Sequence, residues 1–554
     1  MKRTELLIAA LTMLVAACAT QGTMKLERIL LVEGGEVRPG SDLEVIERGA
    51  VVIRGDRIAW VGPVAEVPEW GRSGEVIDAS EMIVLPGLVD AHAHVAGLGA
   101  ALDSVDLVGT TSYEEVIRRI AAATSDVPAG EWILGRGWDQ NDWPVQQFPT
   151  ARPLDAAVGD HPVWVRRIDG HAALASSAAM RAARITASSP DPEGGRIERD
   201  AAGNPTGVFV DAAMDLIDRI IPPPSRTVRR QRILDAARLI AAHGLTAVHD
   251  AGVDQDTIQL MRELIDAGEL PIRVYVMLQD DDELLSSWFE RGPLVDYGDQ
   301  LTVRAVKLYA DGALGSRGAA LIEPYADDPG NRGLMVSSGE HLERRAKAAL
   351  AAGFQVGAHA IGDRGVRTVL DAFEAARVTP AHRFRIEHLQ VVAPSDFARV
   401  ARMGVIGSVQ PTHATSDMPW AEARLASERV KGAYAWRTVL DAGGRLALGS
   451  DFPVEEVSPL LGIHAAVTRQ DLDGHPPGGW FPDQRLSVRE AIRGFTLDAA
   501  YAAFEEERRG SIEEGKFADL TILQADGRAP APRQISSSRV RYTIVNGRVV
   551  HRGE

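Results

Sequence analysis

Eight short apolar runs, separated by stretches long enough for helices, constrain this chain more than any other feature. They lie at residues 88–94, 244–249, 272–277, 303–308, 354–359, 383–388, 405–410 and 445–451. Helical patterns fill most of the gaps. One at 227–243 stops at Gly244, another at 341–352 stops at Gly353, and Ser487 with Glu490 makes a capping box opening a helix to about 504. Strands alternating with helices predict a parallel sheet of the α/β class, and eight such units predict a closed (β/α)8 TIM-like barrel. Reactive groups of such barrels collect at the carboxyl ends of the strands.

The flanking segments read differently. Residues 24–85 hold short β-rich runs with a hairpin signal at Gly55-Asp56, and 505–554 hold similar runs with Asn546-Gly547. Together they predict a small β-sandwich built from both termini, around a barrel spanning 86–504. The gap after the first barrel strand is too long for one helix. Residues of about 96–241, with Trp132, Trp138, Trp143 and Trp164, predict an insertion over the barrel mouth that lines a substrate pocket.

The amino terminus has a basic start at Lys2 and Arg3, an apolar run at 6–15, and Val15-Ala16-Ala17-Cys18. The run is too short to span a bilayer and predicts a signal peptide at 1–17. The four residues resemble a lipobox, which would make Cys18 the lipidated first residue of an exported bacterial envelope protein. Ala19, where an aspartate would signal retention, points to the outer membrane, facing the periplasm. Cys18 is the only cysteine, so no intramolecular disulfide can form and no other thiolate is available for chemistry. A net charge of −17 disfavours nucleic acid as a partner.

The barrel runs end in a telling set of residues. The first delivers His92 and His94, one residue apart and so on one side of an extended strand. The fourth carries Lys307, the fifth ends at His359, the sixth at His388 and the eighth at Asp451. Each alone has a plain structural explanation, although a lysine is rarely buried without a partner. Six such residues at corresponding ends predict one metal site. Imidazole with carboxylate suits zinc best, with manganese, iron or cobalt as alternatives.

Several of these stretches resemble the amidohydrolase superfamily, and within it the YtcJ-like branch that includes N-substituted formamide deformylases. The carriers are Pro86-Gly87-Leu88-Val89-Asp90-Ala91-His92-Ala93-His94, the run from Lys307 to Arg317, His359-Ala360-Ile361-Gly362-Asp363, Arg385-Ile386-Glu387-His388 and Gly449-Ser450-Asp451-Phe452-Pro453. The resemblance implies two divalent ions bridged by Lys307 carboxylated with CO2. One ion would also take His92, His94 and Asp451, and the other His359 and His388. It implies hydrolysis of an amide-type C–N bond in an N-acyl, N-formyl or peptide-like small molecule by a metal-activated hydroxide, with Asp451 as the proton carrier. His171, in the family-like Asp169-Gly170-His171, is expected to assist catalysis or hold substrate, with Arg317 and His249 as further pocket residues. Ser176 stands where an asparagine is often found in the branch. Deamination, opening of a cyclic amide, or ligand binding without turnover by a surface lipoprotein are the alternatives. A small-molecule amide is the expected partner, the membrane is met only through lipid on Cys18, and a homodimer is allowed.

Overall fold

The computed structural model describes residues 28–40, 44–125, 127–128, 130–524 and 535–553. The signal and lipobox segment lies outside the described residues. Among those described, no helix is long and apolar enough to cross a membrane.

The eight runs form eight strands: β1 (Leu88–Ala93), β2 (Leu245–Val253), β3 (Arg273–Leu278), β4 (Leu301–Tyr309), β5 (Gln355–Ala360), β6 (Arg385–His388), β7 (Ile406–Val409) and β8 (Arg445–Leu448). Each pairs with the next in a parallel ladder, from β1 through to β8. The strands are buried on both faces, which is why their sequences read as near-continuous apolar runs. The Asp90 side chain and isolated backbone bonds, rather than a ladder, close the seam between β1 and β8. Asp90 Oδ2 accepts the Ser450 hydroxyl at 2.6 Å and the Ser450 amide at 3.0 Å, and the Asp451 amide donates to the His92 carbonyl at 2.8 Å. The barrel is therefore nearly closed.

The covering helices start where side-chain caps are available. Ser225 opens Arg226–Ala242 by accepting from the Val228 amide, and Ser338 opens Gly339–Ala351 by accepting from His341. The Ser487–Glu490 capping box is present, but the helix expected to reach 504 breaks into Val488–Gly494 and Leu497–Ala502. The Phe495 carbonyl at the break accepts the Val89 amide of β1 at 2.7 Å, so the helix turn gives way to the barrel rim.

The segment after β1 builds its own six-stranded sheet. Its spatial order is Val105–Asp106, Ile133–Trp138, Val163–Arg167, Ala172–Ala175, Pro205–Asp211, Gly195–Arg199. Trp138, Trp143 and Leu174 pack in its core, with Trp138 Nε1 donating to the Val165 carbonyl at 2.9 Å. The helix Arg226–Ala242, at the end of that segment, packs instead with the barrel core beside β2. Ser176 is buried and caps the helix Ser177–Ala182.

Strands from both ends form one hydrogen-bonded eight-stranded sheet whose two ends share a core, Leu30, Val32, Val51 and Ile53 packing in one cluster with Leu520, Ile522 and Ile544. Met82–Pro86 is the reason. It pairs antiparallel with Leu520–Gln524 and parallel with the end of Ile29–Val37, welding the two terminal segments into one ladder. Both hairpin signals form turns, Arg54 pairing with Arg57 across Gly55-Asp56 and Val545 with Arg548 across Asn546-Gly547. Asn546 and Gly547 have φ of 51° and 66°, as a tight two-residue turn of this hand requires.

Candidate metal centre

His92 and His94 leave the end of β1 beside Asp451, which follows β8. His94 Nε2 lies 3.1 Å from Asp451 Oδ1, and His92 Nε2 lies 3.5 Å from the same oxygen. One candidate ligand atom from each of the three falls within 4.8 Å of the others.

The remaining ring nitrogens decide what these atoms can do. His92 Nδ1 is 2.5 Å from Glu387 Oε2, and His94 Nδ1 is 2.9 Å from the Ala251 carbonyl. Both partners are acceptors, so Nδ1 carries the proton in each ring and Nε2 is a bare lone pair. Asp451 Oδ1 is buried and has no hydrogen-bond donor. Two lone pairs and a carboxylate oxygen thus converge without a proton between them, an arrangement that fits a divalent cation. Burial and the neighbouring Lys307 charge push the His92 pKa down to about 4, keeping the ring in its neutral, ligating form. Burial opposes the Asp451 charge, but His94, His92 and His388 outweigh it and hold the carboxyl well below its usual range.

Lys307, His359 and His388 complete the set around the same cavity. Lys307 Nζ is 3.2 Å from His92 Nε2, and burial lowers its amine to about 8. The His388 ring lies 5.0 Å from that of His92 and 4.6 Å from that of His359. His388 Nδ1 donates to Gln410 Oε1 at 2.8 Å, which frees its Nε2. His359 Nε2 is 3.4 Å from the Gly312 carbonyl, which leaves Nδ1 as its available lone pair. Burial lowers both histidines well below the ordinary range. His388 and Asp451 take positive φ, 73° and 63°, strained positions of the kind that cluster at functional sites.

His171 lines the same cavity of about 770 Å³, its ring 5.0 Å from that of His359. Its Nδ1 is 2.6 Å from Asp211 Oδ1. Burial disfavours the charged ring, yet Asp211 more than offsets this and raises the His171 pKa.

Two expected pocket residues lie elsewhere. His249 is fully buried below the cavity, its Nδ1 2.9 Å from an Arg385 nitrogen. Strand β2 runs four residues past it, so its side chain sits a layer beneath the mouth. Arg317 pairs with Asp327 at 2.9 Å and does not line the cavity, which removes it as a substrate anchor.

Sequence reasoning gave no role to Glu387, Asp311, Asp211, Gln410 or His413. Glu387 fixes His92 and is itself held by Arg385, whose Nε lies 2.8 Å away. A methyl group at Gly357 would come 2.6 Å from Glu387 Oε1, so the glycine makes room for this carboxylate. Asp311 accepts three amides, Ala320, Ile361 and Gly362, and ties the loop after β4 to the loop after β5. The signal for Glu387 is its place next to His388 at a strand end; nothing local marks Asp211.

Comparison with known proteins agrees with this centre. The model of the amidohydrolase family matches residues 75–551. A Bacillus subtilis (strain 168) protein named "Putative amidohydrolase YtcJ" is 35% identical over 86% of this chain and 90% of its own length. The N-substituted formamide deformylase of Arthrobacter pascens is 30% identical over 90% of this chain and 94% of its own. Among solved structures, a metal-dependent hydrolase of Pyrococcus horikoshii OT3 has 27% identity and a TM-score of 0.73, covering 91% of this chain and 99% of that one. With the family model matched from the terminal sheet through the whole barrel, this chain belongs to the amidohydrolase family.

Proposed function

We propose that this chain hydrolyses an amide-type C–N bond in an N-acyl, N-formyl or peptide-like small molecule. The observation that carries the reading is the convergence of His92 Nε2, His94 Nε2 and the donorless Asp451 Oδ1 beside Lys307. The similar Arthrobacter pascens protein, by its name, acts on N-substituted formamides, which supports a C–N bond of that kind. Two divalent ions, zinc first, would be held by His92, His94 and Asp451 on one side and His359 and His388 on the other, with carboxylated Lys307 between them. Such ions supply Lewis acidity toward a carbonyl and bring the pKa of water near neutrality.

The protein groups do the rest. Asp451, ionised in the folded state, takes the proton of the attacking water and passes it to the leaving nitrogen. His171, held by Asp211 through Nδ1, donates from Nε2 to the substrate carbonyl oxygen when its ring is protonated, the form that Asp211 favours. Glu387 keeps His92 in the tautomer whose Nε2 is free.

Metal analysis on purified protein, joined to a screen of N-acyl amino acids, dipeptides, formamides and lactams, tests this. Two ions per chain are expected, with turnover lost on chelation and restored by zinc. A metal-free preparation at full activity would sink the reading. The envelope location is a separate proposal: Cys18→Ser should move the protein from the membrane to the soluble fraction or leave it unprocessed. Unchanged fractionation and mass would remove that claim.

A further inference from the structure

Four arginines line the cavity of the metal centre: Arg136, Arg166, Arg229 and Arg232. Three already have carboxylate partners. Arg166 pairs with Asp218 at 2.7 Å, Arg229 with Asp254 and Asp256 at 2.9 and 2.7 Å, and Arg232 with Asp103 at 2.8 Å. Arg136 has none among the described residues. Its Nη2 donates to the Ile168 carbonyl at 2.6 Å and its Nε to the Pro453 carbonyl at 3.4 Å, while Nη1 has no hydrogen-bond partner among the described residues.

The surroundings explain why the charge is left over. Asp169, an acidic residue of the insert on the same cavity, gives one oxygen to Arg167 and the other to the His171 amide. Asp451 is committed to the histidines. Burial, with the charge of Arg166 nearby, lowers the Arg136 guanidinium only to about 10, so it remains a cation at neutral pH. A partly buried cation whose hydrogen bonds go only to carbonyls, with Asp451 and Asp169 acting on it through space, keeps part of its desolvation cost for an arriving anion to offset. A guanidinium fork matches a carboxylate in two parallel hydrogen bonds. The turn at Gly170 has φ of +75° and brings its Cα side within reach of Nη1, where an added Cβ would stand at 3.4 Å. Pro453, the acceptor of Nε, is two residues beyond Asp451, so one loop contacts the cation and carries the proton-transfer group.

We propose that Arg136 anchors a carboxylate of the substrate, which makes the substrate an acylated amino acid with its carboxylate free rather than a neutral amide. The proposal rests on the amide-hydrolase reading above. It gives Arg136 the specificity role that Arg317, paired with Asp327, cannot fill.

The test uses matched pairs: N-acetyl and N-formyl derivatives of several amino acids, each beside the equally acylated amine that lacks only the carboxylate. With zinc-loaded wild-type protein, kcat/KM should favour the acid of the best pair. In Arg136→Gln the ratio of acid to amine should fall by roughly 10- to 100-fold, the range for hydrogen bonds to charged groups. Arg136→Lys, which keeps the charge and loses the fork, should fall between. A wild-type preference for the amine, or a ratio unchanged in Arg136→Gln, overturns the proposal. If Arg136→Gln does not fold, as its thermal midpoint will show, an unchanged ratio in Arg136→Lys overturns it instead. If no pair is cleaved while formamides, dipeptides or lactams are, the proposal is overturned and the hydrolase reading stands; if nothing is cleaved, the hydrolase reading fails, and titration of the same pairs into metal-free protein decides the subsite. Tighter binding of the acid to wild type, lost in Arg136→Gln, supports it; equal or absent binding overturns it.

Discussion

Replacing Lys307 with alanine is expected to strip metal and activity together. Lys307 is buried, and its Nζ lies 3.2 Å from His92 Nε2 without a carboxylate partner among the described residues. Burial lowers the amine to about 8, so an appreciable fraction is neutral at physiological pH, and the neutral amine is the form that adds CO2. The carbamate so formed is an anion with two oxygens, which turns a cation beside the histidines into a bridge between two ions. Without it, His359 and His388 supply only imidazoles to their side of the cavity. Metal affinity should weaken by at least about 10²-fold, the upper effect of merely disturbing groups behind a ligand. Formate, acetate or propionate should partly restore metal content and turnover by placing a carboxylate in the space the side chain vacates. The readouts are metal per chain and kcat on the same preparations. A Lys307→Ala protein that holds two ions and turns over normally would refute the bridge.

How far the fold was legible follows from the barrel's physics. Parallel strands covered on both faces must be apolar along their whole length, so each stands out as a run between helices. All eight runs correspond to β1–β8, and the turn residues Gly55-Asp56 and Asn546-Gly547 marked hairpins because few other residues take their backbone. The single terminal sheet was not legible. Its continuity depends on Met82–Pro86 pairing with a strand more than four hundred residues away, which no local pattern records.

The centre was legible where function coincides with a strand end and obscure elsewhere. His92, His94, Lys307, His359, His388 and Asp451 all follow an apolar run, and the structure brings them around one cavity. His249 also sits in a run, but four further strand residues bury it beneath the mouth. Strand alternation would put Glu387 and His388 on opposite faces, so a reader choosing His388 discards its neighbour. The left-handed backbone at His388, φ 73°, breaks that alternation and lets both serve the centre. Arg136, which lines the cavity, and Asp211, which holds His171 there, belong to the insert, whose sheet places them through pairing that has no periodic signature.

Asp451→Asn should fail in a different way from Lys307→Ala. Asparagine has nearly the same shape, and the backbone amide that donates to the His92 carbonyl at 2.8 Å is untouched, so the seam between β1 and β8 should persist. His92, His94 and the bridge remain, and most of the metal should stay bound. What disappears is a group able to accept a proton from water and return it to the leaving nitrogen. A positioned acid/base contributes at least about 10²-fold, so kcat should fall by that factor or more. The fall should appear in kcat more than in KM, because Asp451 acts on the proton rather than on substrate affinity. Thermal unfolding and metal content separate this from a collapsed centre. If Asp451→Asn keeps full activity with two ions bound, the proton travels another way. His171 on the same cavity, with its Asp211 partner and raised pKa, is then the group to replace next.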